Sequence, residues 1–248
     1  MDLTMHQIYQ FVGGPLVWFS FIVFIAGTIH QIHQFFTEYS QKKATPQYQP
    51  PGFKKQPPIG WFSKNAIQTR MAMIKDWFSR ENRIRNMAMF RATNVFGIHP
   101  VMSWTTLIFH VCLVLTPFYV LAHNILLDEA LGISFYSWSE TLTDGMTFVL
   151  LICGAYFLYR RIFVRRVRAI TTLYDYVMLF IAVAPFLTGF LAYHQIYDYQ
   201  TMVIFHILAG ELMLITIPYT KFAHMIYFFL QRFFVANEYS FGKGDRRW

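Results

Sequence analysis

Four histidines stand where a membrane chain could do redox chemistry. His206 and His224 lie 18 residues apart in a hydrophobic run over about 201–230. At roughly 100° per residue that spacing is five whole turns, so on one continuous helix both imidazoles leave the same face. At about 1.5 Å rise per residue they stand roughly 27 Å apart, near opposite sides of a hydrocarbon core. An earlier run, about 100–127, carries His110 and His123. Two helices that each offer one imidazole near each membrane face supply two bis-histidine sites. The chemistry this suits is axial ligation of two haems b stacked across the bilayer, because filling both axial positions favours electron transfer over oxygen binding.

The second pair meets one difficulty. His110 and His123 are 13 residues apart, which on an ideal helix leaves them about 140° from a common face. Thr116-Pro117 lies between them, and an intramembrane proline can kink or rewind a helix enough to correct this. His99, 11 residues before His110 and only about 20° off its face, is the rival ligand. It precedes Pro100 at the inner boundary, however, and no histidine of the last helix shares its depth.

Other residues could serve protons or a quinone. His194 ends the fourth hydrophobic run beside Tyr193, Tyr197, Asp198 and Tyr199. That group reads as a quinone or proton site, or as an ordinary aromatic belt. Glu211 is a lone acid deep in the last run, able to relay protons or to cap a buried donor. Gly210 beside it would let a macrocycle or another helix approach closely. His30 and His33 end the first run and are interfacial or near an inner cofactor. Lys221 and the arginines from Arg160 to Arg168 are headgroup anchors or propionate partners.

The elements that must position these residues follow from composition and charge. Of the 248 residues, 55% are hydrophobic and only 14% charged, against about a quarter charged in soluble domains. Five runs reach the ~20 residues a bilayer needs: about 11–36, 100–127, 146–164, 174–193 and 201–230. The expected fold is all-α, a five-helix transmembrane bundle. Residues 1–36, 101–159 and 169–220 contain no lysine or arginine, so all 21 basic residues fall on one side of such a bundle. The positive-inside rule makes that side cytoplasmic, with the N-terminus outside and the C-terminus inside. The loop 128–144 carries four acids and no base. The first run follows Asp2 rather than a basic region and is long enough to span, which argues for a retained helix rather than a cleaved signal.

Three regions result. Residues 1–36 hold the outer N-terminus and first span, 37–99 a basic cytoplasmic region, and 100–248 the four-helix histidine-bearing region with a short tail. Within the middle region, 42–58 is rich in Pro, Gln and Lys and reads as an extended linker. Residues 66–93 read as a basic amphipathic helix on the inner surface, either a lipid-headgroup anchor or a docking surface for a cytoplasmic subunit. The +8 formal charge therefore reflects membrane orientation and not nucleic-acid binding. Cys112 and Cys153 both fall in apolar runs and are too few for a disulfide framework, a zinc site or an iron–sulfur site.

With five spans and paired histidines on the second and fifth, the chain resembles the gamma subunit of respiratory nitrate reductase, a dihaem cytochrome b. The likeness covers about 130 residues, from the second span onward, and is strongest in the 18-residue spacing of His206 and His224 with its outer-to-inner order. Phe109-His110 is also similar, and the text from His110 to His123 looks closer to cytochrome b subunits of sulfur- and sulfate-respiring redox complexes. Those work with cytoplasmic iron–sulfur proteins and sometimes with periplasmic cytochromes c. The nitrate reductase pattern departs from this chain in a shorter histidine spacing on its second span and in lacking the long inner loop. The resemblance implies His123 and His206 on an outer haem, His110 and His224 on an inner one, and a menaquinone-type site near one haem. It implies a membrane subunit of a quinone-linked oxidoreductase in a bacterial or archaeal inner membrane. The competing expectation is a haem-free scaffold or transporter subunit whose histidines line a proton or metal path.

Overall fold

The computed structural model describes residues 3–44, nine positions between 68 and 92, and 95–234. All regular structure among them is helical. In chain order the helices are α1 (Leu3–Phe11), α2 (Val17–Ala44), α3 (Val95–Ile98), α4 (Pro100–Tyr119), α5 (Leu121–Leu131), α6 (Glu140–Phe163), α7 (Arg165–Arg168), α8 (Leu173–Tyr193), α9 (Tyr199–Thr216) and α10 (His224–Phe234). A π turn, Val12–Leu16, joins α1 to α2, and the 3-10 turns Ile217–Tyr219 and Lys221–Ala223 join α9 to α10. Five stretches are long and apolar enough to cross a membrane: Met5–Ser40, Pro100–Tyr119, Glu140–Phe163, Leu173–Tyr193 and Tyr199–Tyr219. Residues 42–44, expected to open a linker, instead continue α2. The rest of that linker, the expected interfacial helix over 66–93 apart from scattered positions, and the tail after 234 lie outside the described residues.

The chain divides into two compact units, Met1–Val23 with His99–Thr216, and Phe24–Ile98 with Ile217–Trp248. In the first, α8 packs on both α9 and α6, and α6 packs on α4. Gly154 on α6 makes the α6–α8 approach possible, since a Cβ there would lie 2.8 Å from Val183 Cγ2. Leu150, one turn before it, is fully buried, and Phe109 of α4 meets Phe157 of α6 edge-on at 5.2 Å. The helix ends are written in the sequence. Pro100 occupies the first turn of α4, where its missing N–H costs nothing. Thr172 and Asp175 close a capping box on α8. Gly132, at φ 66°, ends α5 with its N–H on Asp128 O at 2.8 Å. Glu140 opens α6 and Arg160 and Arg161 close it, as the helix dipole prefers.

Two of the expected spans are broken, and both breaks fall at histidine-bearing segments. The run over 100–127 is not one kinked helix. α4 ends at Tyr119, Val120 is extended (φ −71°, ψ 133°), and α5 begins anew at Leu121. Pro117, inside the last turn of α4, withholds the N–H that residue 113 would receive, so the ladder is already weakened there. Asn124, 3% exposed, then staples the break. Its Nδ2 donates to Phe118 O (3.0 Å) and Val120 O (3.2 Å), and its Oδ1 accepts from Phe135 N (2.8 Å). Trp138 stacks on Tyr119 at 4.3 Å and donates its N–H to Tyr119 O.

The run over 201–230 is likewise not continuous, so the five-turn register between His206 and His224 does not hold along one helix. α9 stops at Thr216, whose hydroxyl donates to Leu212 O and Met213 O, and Pro218 follows with no N–H to continue the ladder. In the second unit Pro218 is buried against Gly27, where a Cβ would lie 2.6 Å from its Cγ. Its carbonyl accepts from Gln31 Nε2. Thr220 starts the next turn by accepting from Phe222 N at 3.3 Å.

Candidate functional site

The first unit brings His123 and His206 together. His123 sits on the first turn of α5 and His206 in the middle of α9. Their ring centroids are 5.8 Å apart and their planes 24° apart. Both rings are half-buried, and both are held by prolines. His123 Nδ1 lies 3.0 Å from Pro117 O, and His206 Nδ1 lies 2.8 Å from Pro185 O on α8. A carbonyl oxygen only accepts, so in each ring Nδ1 carries the proton and Nε2 the lone pair. This is how ligating histidines are usually prepared: the far nitrogen donates to a carbonyl, which fixes the tautomer and raises ligand basicity.

The centroid separation is compatible in length with an ion between the two rings. Two imidazole nitrogens at about 2 Å from one metal put the ring centroids roughly 6 Å apart, close to the separation found. Among the described residues no group of three His, Cys, Asp or Glu gathers as a metal site. Two nitrogens alone would not complete a coordination sphere, and a group that brings further ligands of its own would be needed to complete one.

His110 and His224 share the same preparation on other elements. His110, exposed on α4 in the first unit, has Nδ1 2.7 Å from Thr106 O. His224, exposed at the start of α10 in the second unit, has Nδ1 2.6 Å from Lys221 O. His194 differs. It follows α8 and offers Nε2 to Asp144 Oδ1 of α6 at 3.0 Å, with Phe190 4.3 Å away. Beside it Tyr193 donates to Glu140 Oε2 at 3.2 Å. His6 pairs through Nε2 with Gln10. The Nδ1-to-carbonyl arrangement thus separates the four expected ligands from His6 and His194. His99, the rival ligand, lies exposed just before α4, and its carbonyl accepts from Ser103.

The other residues expected around a quinone have the following surroundings. Tyr197 is exposed. Asp198 caps α9, accepting from Thr201 N at 2.9 Å and Thr201 Oγ1 at 2.7 Å. The Thr201 hydroxyl, and then its backbone N–H, hold the Asp198 carboxyl below the usual carboxylate range. Glu211 is 5% exposed, and neither of its carboxylate oxygens has a hydrogen-bond partner among the described residues. It lies on the stripe of α9 that carries buried Ile204, seven residues earlier and about 20° away.

Sequence reasoning did not reach Pro185, Gly189, Asn124 or Asp144. Pro185 and Gly189 interrupt an apolar run, which is a signal the sequence carries, but their partners are set by tertiary packing.

No family model matches the chain, and no solved structure does. A protein of Nitratidesulfovibrio vulgaris strain Hildenborough, described only as "Protein", is 29% identical over 236 residues, covering 95% of each chain. The two are therefore similar along nearly their whole length, including the segments outside the apolar helices.

Proposed function

We propose that this chain is a dihaem cytochrome b, the membrane subunit of a quinone-linked respiratory oxidoreductase. It would carry electrons between the quinone pool and a cytoplasmic iron–sulfur partner. The observation that carries the reading is the His123–His206 pair, 5.8 Å between centroids with each Nδ1 turned to a backbone carbonyl. In this reading these two hold the outer haem, and His110 and His224, paired by their depth in the sequence, are the proposed ligands of the inner one. Each haem b would supply a one-electron iron couple. The chain's own residues orient the imidazoles and fix their tautomers through the Nδ1 hydrogen bonds.

The one-sided distribution of all 21 basic residues supports the N-terminus outside and a basic face toward the cytoplasm. That face suits docking of the iron–sulfur subunit as well as contact with anionic lipid, and a periplasmic cytochrome c is a further candidate partner at the other side. A menaquinone-type quinone is the proposed substrate near the outer pair, where His194, Tyr197 and Asp198 lie toward one end of α8 and α9. Glu211 would serve its protons. The competing reading, a haem-free proton or metal path, draws on Glu211, whose unpartnered oxygens suit a proton carrier.

Stopped-flow mixing of the purified chain in liposomes with menadiol tests the proposal. Reduction of b-type absorbance by the quinol, at a rate that saturates with its concentration, is expected. Haem that dithionite reduces but menadiol does not would overturn the quinone link.

A further inference from the structure

We propose that the turn of α8 from Pro185 to Gly189 is a dedicated seat for the His206 imidazole, with Gly189 the positioning residue that decides where the ring lies. The inference rests on the haem reading and deepens it. A Cβ on Gly189 would lie 2.9 Å from His206 Cε1, 3.0 Å from Nδ1 and 3.7 Å from Nε2. The ring therefore lies in the space that any side chain at 189 would fill.

The ring has no easy retreat. Its Nδ1–H is tied to Pro185 O at 2.8 Å, on the same helix as Gly189, and the His123 ring is a further neighbour. Moving away from a methyl group at 189 would break the hydrogen bond or close the space between the two imidazoles. Gly210, beside Glu211, is the natural contrast, because a Cβ there meets nothing within 4 Å. Sequence reasoning read Gly210 as a place where a macrocycle or another helix could approach; among the described residues no side chain closes on it, whereas the His206 ring closes on Gly189.

The seat also contains a tuning group. The single Thr188 hydroxyl proton is divided between Ala184 O at 2.7 Å and Pro185 O at 3.1 Å, so the carbonyl that receives His206 also takes the weaker branch of a hydroxyl's bond. A carbonyl shared by two side-chain donors is a weaker acceptor for each. Thr188 thereby moderates the Nδ1–H bond, and with it the basicity of Nε2. Removing the hydroxyl would strengthen the His206 bond, make the imidazole a stronger donor and favour oxidised iron.

The test purifies wild type, Gly189→Ala, Gly210→Ala and Thr188→Val, and measures haem b per chain, elution volume, helicity and a potentiometric titration. Wild type and G210A should carry two haems. G189A should carry one, at unchanged elution volume and helicity. T188V should carry two, with one midpoint moved to lower potential and the other unmoved. Two haems in G189A with a wild-type spectrum and potentials would overturn the inference alone. Should G189A fail to fold, T188V decides, and two unshifted midpoints overturn it. A wild-type chain without haem would overturn the proposed function, and this inference with it.

Discussion

Replacing Asn124 should both destabilise the chain and disturb the outer histidine pair. Its side chain is 3% exposed and makes three hydrogen bonds, two to carbonyls at the end of α4 and at the break residue Val120 and one from Phe135 N. At about 1 kcal/mol net for each bond, Asn124→Ala should lose roughly 3 kcal/mol. For a chain of this size that is a fall of about 6–12 °C in Tm. Asn124→Asp is the sharper probe. It keeps the acceptor for Phe135 N but turns a second oxygen, in place of Nδ2, toward the carbonyls of Phe118 and Val120. It should cost at least as much as alanine despite its matching shape. Both variants are followed by thermal melts in detergent with haem counted per chain, because α5 carries His123 one residue before the staple. A Tm within 1–2 °C of wild type for N124D would refute the reasoning that this side chain holds the break together.

Gly154→Ala should cost about 1–3 kcal/mol through overpacking against Val183, and adding Val183→Ala should recover most of it; a double mutant no more stable than G154A would contradict that contact. Lowering the pH should loosen the start of α9. The Asp198 carboxyl titrates lower folded than unfolded, so its contribution is complete above the usual carboxylate range and disappears as the pH falls through its folded-state value. Amide exchange over the first turn of α9 should accelerate in acid for wild type but be independent of pH across that range, once corrected for intrinsic exchange, in Asp198→Ala. Glu211→Leu should hold or raise Tm, since it replaces two buried oxygens without hydrogen bonds by apolar groups; a fall of several degrees would reveal a partner for the carboxyl.

The apolar runs made the five long helices legible, because length and composition alone mark a stretch able to cross a bilayer. The breaks were less legible, though their causes are printed in the sequence. Pro117 suggests a kink, but the extended Val120 depends on Asn124 reaching across to Phe135, a contact no periodicity predicts. Pro218 sits inside the run expected to be straight. The helix stops there because Pro218 cannot donate and because Thr216 bonds back to its own turn.

The site was legible in its histidines and opaque in its supports. Spacing and depth named His123 and His206 as partners, and their rings do meet. The route differs, since a helix break rather than a corrected register carries His123 there. Pro185 and Gly189 lie 21 and 17 residues before His206, on a different helix, and only packing shows that one holds the ring and the other makes room for it. Asp198, expected among the quinone residues, is occupied as a helix cap, a use that the spacing Asp198-x-x-Thr201 already allowed.

The most direct measurement is haem b per polypeptide, by pyridine haemochrome, in wild type, in the double variant H123A/H206A and in H110A/H224A. The account predicts two haems in wild type and one in each double variant, with different midpoint potentials for the haem that each retains. No haem in a folded wild-type chain, or loss of both from either double variant while the fold persists, would contradict it.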